Sequence, residues 1–265
     1  METEAGLVKS PPWPARLAAG VKRAGTALTD LVYPPTCLGC AAPLAVPDAL
    51  CPDCFAGLKP ITAPLCPRLG IPFAASLGEG AISAEAAADP PPFGRARAAL
   101  VYNDGARALV SRLKYGDRPE LARFCARLMA GAGHEFWADR PVLVPVPLHR
   151  RRLLQRRYNQ SAELARALSA VTGLAVEAGA VTRHRQTRQQ VGLSGDARQR
   201  NVAGAFTVEP EKLARIAGRH VVVVDDVYTT GATAKAVTRT LLRAGAAGVD
   251  VVTFARVVIG DDLPI

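Results

Sequence analysis

Aromatic residues make up only 5% of this 265-residue chain, and it has four histidines and two methionines. No stretch approaches the roughly 20 consecutive apolar residues that a membrane-spanning helix needs. The opening residues, METEAGLVKSPPWPARL, carry acids early and have no continuous apolar segment, so no secretory signal is read there. The scarcity of aromatics counts against a single-strand binder that works by stacking bases on rings. Two nucleotide signatures are missing as well. There is no GxxxxGK[ST], which removes the first half of a Walker-type ATPase, and no GxGxxG after a strand, which leaves a dinucleotide fold unsupported. The expectation is a cytoplasmic protein, in which the six cysteines are thiols or metal ligands rather than disulfides.

Positive charge is in excess. Lysine and arginine number 33 against 23 acids, a formal net charge of +10. Arginine supplies most of it, and its planar fork suits phosphate and carboxylate. Such a balance fits nucleic acid or a small, highly phosphorylated ligand, and charge alone does not choose between them. With 49% hydrophobic residues the chain can bury a real core, in roughly one to two domains.

Residues 1–14 read as a tail. From Ala15 to Val32, Leu17, Val21, Ala24, Leu28 and Leu31 recur at helical spacing until Pro34 and Pro35 end the run. CLGC (37–40) and CPDC (51–54) follow. Four thiolates on two tight turns, Cys37, Cys40, Cys51 and Cys54, suit one tetrahedral zinc with no position left open for chemistry. So short a module has too little core to fold without the metal. A redox CxxC stands alone at a helix start in a βαβ setting, which neither pair has. Cys66 is isolated, either a spare thiol or the remnant of a further knuckle with Leu69 at its second position. The chain thus divides into a tail and amphipathic helix (1–36), a zinc-ribbon module (37–73), an Ala-, Gly- and Pro-rich linker or extended loop (74–92) and a larger domain (93–265).

In that domain the pattern alternates. Strands are expected at 97–102, 142–146, 221–224 and 249–258, with helices at 105–115, 118–131, about 161–171 and 231–246. Leu121, Phe124, Cys125 and Leu128 share one helix face, which makes Cys125 a small core residue. The order predicts an α/β fold with a mostly parallel sheet covered by helices on both faces.

One stretch concentrates the chemistry: VVVVDDVYTTGAT (221–233). Ligands of open parallel sheets bind beyond the carboxyl ends of the strands. Asp225 and Asp226 fall there, and the helix expected from Gly231 turns its free N–H groups toward the same crevice. Thr229, Thr230 and Thr233 add hydroxyl donors, and Gly231 lets the backbone come close, which makes a cradle for a phosphate monoester. Two carboxylates would repel that phosphate unless they address hydroxyls or a cation. A sugar 5-phosphate with a free diol, accompanied by Mg²⁺, meets both demands.

VVVVDDVYTTGAT resembles the phosphoribosyl pyrophosphate (PRPP) signature of type I phosphoribosyltransferases. Four further stretches, LVYPPTCLGC (31–40), SRLKYGD (111–117), VPVPLHRRRLLQRRYNQS (144–161) and RHRQTRQQVGLSGDARQRNVAGAF (183–206), extend the likeness. Together with the cysteine module, they make the chain resemble the ComF family of competence-associated, phosphoribosyltransferase-like proteins. Relatives often carry further CxxC pairs, of which only Cys66 remains here. The resemblance implies a type I phosphoribosyltransferase-like domain behind an N-terminal zinc ribbon, binding PRPP with Mg²⁺. It implies PRPP contacts at Asp225, Asp226, Tyr228, Thr229, Thr230, Gly231, Ala232 and Thr233, with the two acids catalytic. A pyrophosphate loop would include Leu148, His149, Arg150, Arg157, Tyr158 and Asn159, and Arg183 and Arg185 would lie on a flexible loop closing over the ligand. Thr187 and Gln190 match the family pattern without an assigned role. Lys114 either reaches the site or is an ordinary exposed lysine, and His149 and His184 are phosphate contacts or surface residues.

The activity implied is displacement of pyrophosphate from PRPP by a nitrogen acceptor that the sequence does not identify. The arginine excess, with no evident general base, leaves a second reading open. In that reading the chain is a non-enzymatic PRPP-sensing adaptor in DNA uptake, touching single-stranded DNA or competence proteins through its basic loops and ribbon.

Overall fold

The computed structural model describes residues 34–78, 80–115, 119–156, 158–184 and 204–258. The amphipathic helix expected over 15–32 lies outside them, as do Arg157, Arg185, Thr187 and Gln190. Two one-turn helices come first, α1 (Pro52–Ala56) and α2 (Ala84–Ala88). The larger domain follows as β1 (Ala96–Val101), α3 (Asp104–Tyr115), α4 (Pro119–Ala132), β2 (Val142–Pro145), α5 (Arg150–Arg156), α6 (Gln160–Thr172), β3 (Val181–Arg183), β4 (Phe206–Val208), α7 (Leu213–Ile216), β5 (His220–Tyr228), α8 (Ala232–Arg243) and β6 (Gly248–Arg256). Among the described residues no helix is long and apolar enough to cross a membrane.

Val221–Val224 form the centre of β5 and are fully buried. Each buried valine stabilises the fold by about 1.5–3 kcal/mol, so a run of them belongs in the middle of a covered sheet. β5 lies between β2 and β6, with β1 beyond β6, and every pair in this four-stranded sheet is parallel. Alternation sends Val222 and Val224 toward a core that includes Leu109, Leu121, Phe124, Cys125 and Leu164 from α3, α4 and α6. Val221 and Val223 face the opposite core, built with Val237 and Leu241 of α8 and with Val181 and Phe206 of the antiparallel β3–β4 pair. Both faces are covered, and Cys125 is a buried core thiol as expected.

The segment before β1 is one small unit present twice. In the first copy the Cys37 amide donates to Ala42 O (2.7 Å), Ala41 N to Cys37 O (2.9 Å) and Leu44 N to Pro35 O (2.8 Å). In the second, Cys66 N donates to Ile71 O (2.8 Å), Gly70 N to Cys66 O (2.8 Å) and Phe73 N to Pro64 O (2.9 Å). The β-bridges Thr36–Pro43 and Leu65–Pro72 correspond. Each knuckle is followed by a one-turn helix, α1 capped by the Cys51 side chain and α2 by that of Ser83. This equivalence puts Cys66, Leu69, Ser83 and Ala86 where the first copy has Cys37, Cys40, Cys51 and Cys54.

All four second-copy residues are buried. Cys66 Sγ accepts hydrogen bonds from Leu69 N (3.5 Å), Ser83 N (3.3 Å) and Ser83 Oγ (3.3 Å). Burial works against ionisation of this thiol, but the Ser83 hydroxyl and the surrounding amides outweigh it and lower its pKa. The stretch 74–92, expected as a linker, therefore contains α2 and half of the second knuckle unit. A single turn of alanines carries no apolar period, which is why the sequence pattern did not reveal it. The chain between the copies covers the outer edge of β1, with Ile61 N donating to Ala99 O (3.0 Å) and Val101 N to Lys59 O (2.8 Å).

The equivalence is testable by restoring the missing thiols. A Leu69→Cys, Ser83→Cys, Ala86→Cys variant is expected to bind one more zinc per chain than its parent by metal analysis. Unchanged zinc content would contradict it.

Candidate functional site

The site begins where two neighbouring strands end at different heights. β2 pairs with β5 as far as Pro145 opposite Val224, and Val146 N still donates to Val224 O (3.0 Å). β5 runs on, paired with β6 through Tyr228 opposite Arg256. Asp225 and Asp226 are thus inside the strand rather than after it as expected, on a stretch that has lost its β2 neighbour. Side chains replace the missing ladder. The Asp226 amide donates to Asp225 Oδ1 (2.9 Å), and Asn159 Nδ2 donates to Val146 O (2.9 Å).

The gap is filled by the start of α6. Asn159 caps that helix by accepting from Ser161 N (3.1 Å), which leaves the Ser161 hydroxyl to donate to Asp225 Oδ1 (2.9 Å). Gln160 Nε2 approaches Asp226 Oδ2 (3.5 Å), and Lys114, from the last turn of α3, forms an ion pair with the same oxygen (3.0 Å). Lys114 is therefore at the site. Withdrawal from water, and then the charge of Asp226, push the Asp225 carboxyl up to about 7, against the opposing effects of the Asp226 amide, the Ser161 hydroxyl and Lys114. A pair of acids held this way has room for hydroxyl donors or a cation to lower its energy.

The turn after β5 is the second half of the site. Gly231 adopts a left-handed φ of +71° and precedes α8 with no side chain capping that helix. A helix start without a side-chain cap suits an anion, and the helix dipole favours one. Thr230 Oγ1 is buried with no hydrogen-bond partner among the described residues. Glycine is required at 231 for two reasons: the positive φ, and the fact that a β-carbon there would overlap the Tyr228 hydroxyl. Tyr228 itself is buried beneath the turn, edge-on to Phe93. Its side chain is a floor for the loop rather than part of the loop's exposed surface.

The basic segment after β2, expected as a loop, is partly helical. His149 accepts at its carbonyl from Arg152 N (2.8 Å) and Leu153 N (3.0 Å), and Arg151 N lies 3.3 Å from its Nδ1, so it begins α5. Leu148 is half-buried, and Arg150 is exposed on the first turn. Tyr158 turns its hydroxyl to Leu113 O (2.5 Å), fixing the end of α3 beside Lys114. Arg183, expected on a flexible loop, is instead buried on β3, where pairing with Phe206 of β4 holds its backbone and its guanidinium lies over the Phe206 ring (5.4 Å). Burial first, then repulsion from Arg152, lowers Arg183 to about 10, while Asp225 pulls it back up. Arg183 thus feels the charges of both Arg152 and Asp225. His184 is exposed.

The structure brings together Asp225, Asp226, Lys114, Asn159, Arg183 and the 229–233 turn, and it adds Gln160, Ser161 and Arg152. In the sequence Ser161 marks only the start of the helix expected at about 161–171. Its bond to Asp225 spans chain positions that no local pattern connects.

The cysteines form a separate centre. The Sγ atoms of Cys37, Cys40, Cys51 and Cys54 lie within 4.8 Å of one another, with Cys40 and Cys51 3.7 Å apart. A tetrahedron with Zn–S bonds of about 2.3 Å has sulfurs roughly 3.8 Å apart, so the set fits one Zn²⁺. Burial raises the Cys37 thiol, but the amides of Cys51, Cys40 and Gly39 prevail and hold it near 6. Hydrogen bonding from Cys51, together with burial, pushes Cys54 up to about 12. Thiols crowded in this way need a cation before all four can ionise.

Comparison with known proteins covers both parts. Residues 28–87 match the double zinc ribbon domain, and residues 158–262 match the phosphoribosyl transferase domain. The chain is 36% identical over 231 residues to DNA utilization protein YhgH of Salmonella typhimurium, covering 83% of this chain and 96% of YhgH. It is 30% identical over 161 residues to competence protein F of Haemophilus influenzae, covering 58% of this chain and 69% of that one. Among solved structures, the allosteric regulatory enzyme of purine biosynthesis aligns over 54% of this chain and 29% of its own, at 21% identity and a TM-score of 0.36.

The raised Asp225 pKa has a pH signature. Its carboxyl keeps a proton in the folded chain up to about 7, against 3.8 as the ordinary value, so stability falls as pH rises through that window. Asp225→Asn is therefore expected to raise the melting temperature of the ligand-free protein more at pH 8 than at pH 5. Equal shifts at both pH values would show that Asp225 is not the group under strain.

Proposed function

Because this chain belongs to the ComF family, with a zinc ribbon ahead of a phosphoribosyltransferase-type domain, we propose that it binds PRPP and transfers its phosphoribosyl group to a nitrogen acceptor. The observation that carries this reading is the juxtaposition of an acid pair on an unpartnered strand edge with an uncapped helix start behind Gly231. The 5-phosphate would sit on the amides of 230–233 and the threonine hydroxyls, and the ribose diol would donate to Asp225 and Asp226. Arg152 and Arg183 would face the pyrophosphate. A bound Mg²⁺, held on the ligand side of the two acids, would neutralise the pyrophosphate as its charge grows. The first ribbon copy would hold one structural Zn²⁺ through Cys37, Cys40, Cys51 and Cys54.

In the reaction the C1–O bond to pyrophosphate breaks with its electron pair, the acceptor nitrogen bonds to C1, and the acceptor gives up a proton. The oxocarbenium-like transition state needs alignment and charge stabilisation from the protein more than a nucleophile. Among the described residues no histidine is hydrogen-bonded to Asp225 or Asp226. His134 Nδ1 lies 3.1 Å from Gly131 O, His149 precedes α5, His184 is exposed, and His220 is paired with Asp250 (3.1 Å) at the opposite end of the sheet. That observation keeps the second reading in play, a cytoplasmic PRPP-responsive adaptor without turnover. The names of the relatives, DNA utilization and competence, support a role connected with DNA for either reading.

Calorimetry with Mg²⁺ and PRPP is expected to show binding that an Asp225→Ala, Asp226→Ala variant weakens about a hundredfold or more, since two charge-assisted contacts are lost. Undiminished binding by that variant would overturn the site. Pyrophosphate release across a panel of nitrogenous bases then separates the readings: release with one of them supports transfer, and tight binding without release supports the adaptor.

A further inference from the structure

The second ribbon copy has one cysteine where the first has four, and it leans on the back of the 229–233 turn. Arg256, at the end of β6, is almost fully buried. Its Nη1 donates to the carbonyl of Leu69, which occupies a lost ligand position. Its guanidinium lies 4.9 Å from the centroid of the Tyr228 ring, and the Tyr228 hydroxyl lies directly under Gly231. Arg256 Nε has no hydrogen-bond partner among the described residues, so the Leu69 carbonyl is its main anchor.

A second link runs beside the first. Lys235, buried on the first turns of α8, pairs with Asp89 at the end of α2 (2.7 Å), and its amide donates to Gly231 O (2.7 Å). On the same small helix, Glu85 lies 3.8 Å from Arg256 Nη2. A pocket of about 480 Å³ opens between these partners, with Thr229 and Thr230 on one wall and Glu85 and Asp89 on the other. Two buried cations of the α/β domain are therefore held by a carbonyl and two carboxylates of the ribbon. In the first copy a metal would hold the unit together. In the second, contacts to Arg256 and Lys235 do so, and both cations border the turn.

We propose that the metal-free second ribbon is a positioning element of the phosphate cradle, setting the 229–233 turn through Arg256, Tyr228 and Lys235. The proposal rests on reading that turn as the 5-phosphate site. Coupling of this kind is reciprocal: a phosphate that orders the turn also tightens the ribbon against it.

The test uses the full-length, zinc-loaded protein. Arg256→Met cuts the first link, and Glu85→Gln with Asp89→Asn weakens both links at half-exposed positions, which keeps a folded variant in hand. Affinities for ribose 5-phosphate and for inorganic pyrophosphate are measured by calorimetry, and amide exchange over 229–233 and 65–89 is followed without ligand. The expected result for Arg256→Met is about a tenfold loss of ribose 5-phosphate affinity with pyrophosphate affinity and zinc content unchanged. Exchange should quicken in both segments, and Glu85→Gln with Asp89→Asn should show a smaller loss of the same kind. Equal losses for both ligands would reduce Arg256 to general structural support and overturn the proposal. So would quicker exchange over 65–89 with the 229–233 amides and ribose 5-phosphate affinity unmoved. If the parent binds no ribose 5-phosphate, the phosphate reading fails separately, and exchange of the 229–233 amides alone decides whether the ribbon positions the turn.

Discussion

The early end of β2 is the constraint on which the rest of the site depends. A central strand buried on both faces is ordinarily flanked by ladders on both edges. Here β5 loses one neighbour after Val224 while its other ladder, to β6, continues to Tyr228. The chain must satisfy the freed edge with side chains, and it does so with carboxylates, an asparagine and the start of α6. The edge left open at Asp225 and Asp226 is the place where a ligand can approach the backbone of β5. The energy stored there is electrostatic. Two acids side by side, one of them raised to about 7, are compensated in the free protein by one lysine and three hydrogen-bond donors, the Asp226 amide, Ser161 and Gln160.

The two ribbon copies solve the same folding problem in different ways. Their backbones make the same set of hydrogen bonds, so the unit is specified by its turns rather than by its cysteines. The first copy presents four thiols to a common point. The second has Leu69, Ser83 and Ala86 at three of those positions, keeps one thiol as a hydrogen-bond acceptor, and takes its cations from the neighbouring domain. The second copy is tied to the α/β domain by Arg256 and Lys235, whereas a metal-bound copy can carry its own stabilising centre.

Much of this was legible in the sequence. The valine run, the alternation of strands and helices, the parallel sheet and the CxxC pairs follow from composition and period, because burial and ligand spacing are local properties. Three features did not. α5 was hidden because arginines give no apolar stripe. The β3–β4 pair was hidden because three-residue strands are too short for a period. The second ribbon copy was visible only as Cys66 and a suspected partner position at Leu69, since its identity lies in backbone bonds between residues far apart in the chain. For the site, the acids and threonines stood out, while Ser161, Gln160 and Arg256 did not, because their roles come from contacts that only the folded sheet creates.

The most direct measurement of the central claim is a crystal structure with ribose 5-phosphate and Mg²⁺. The phosphate is expected on the amides of 230–233, the diol oxygens at Asp225 and Asp226, and Lys114 drawn away from Asp226. A sugar phosphate bound instead along the arginines of α5, with the Lys114–Asp226 pair intact, would contradict it.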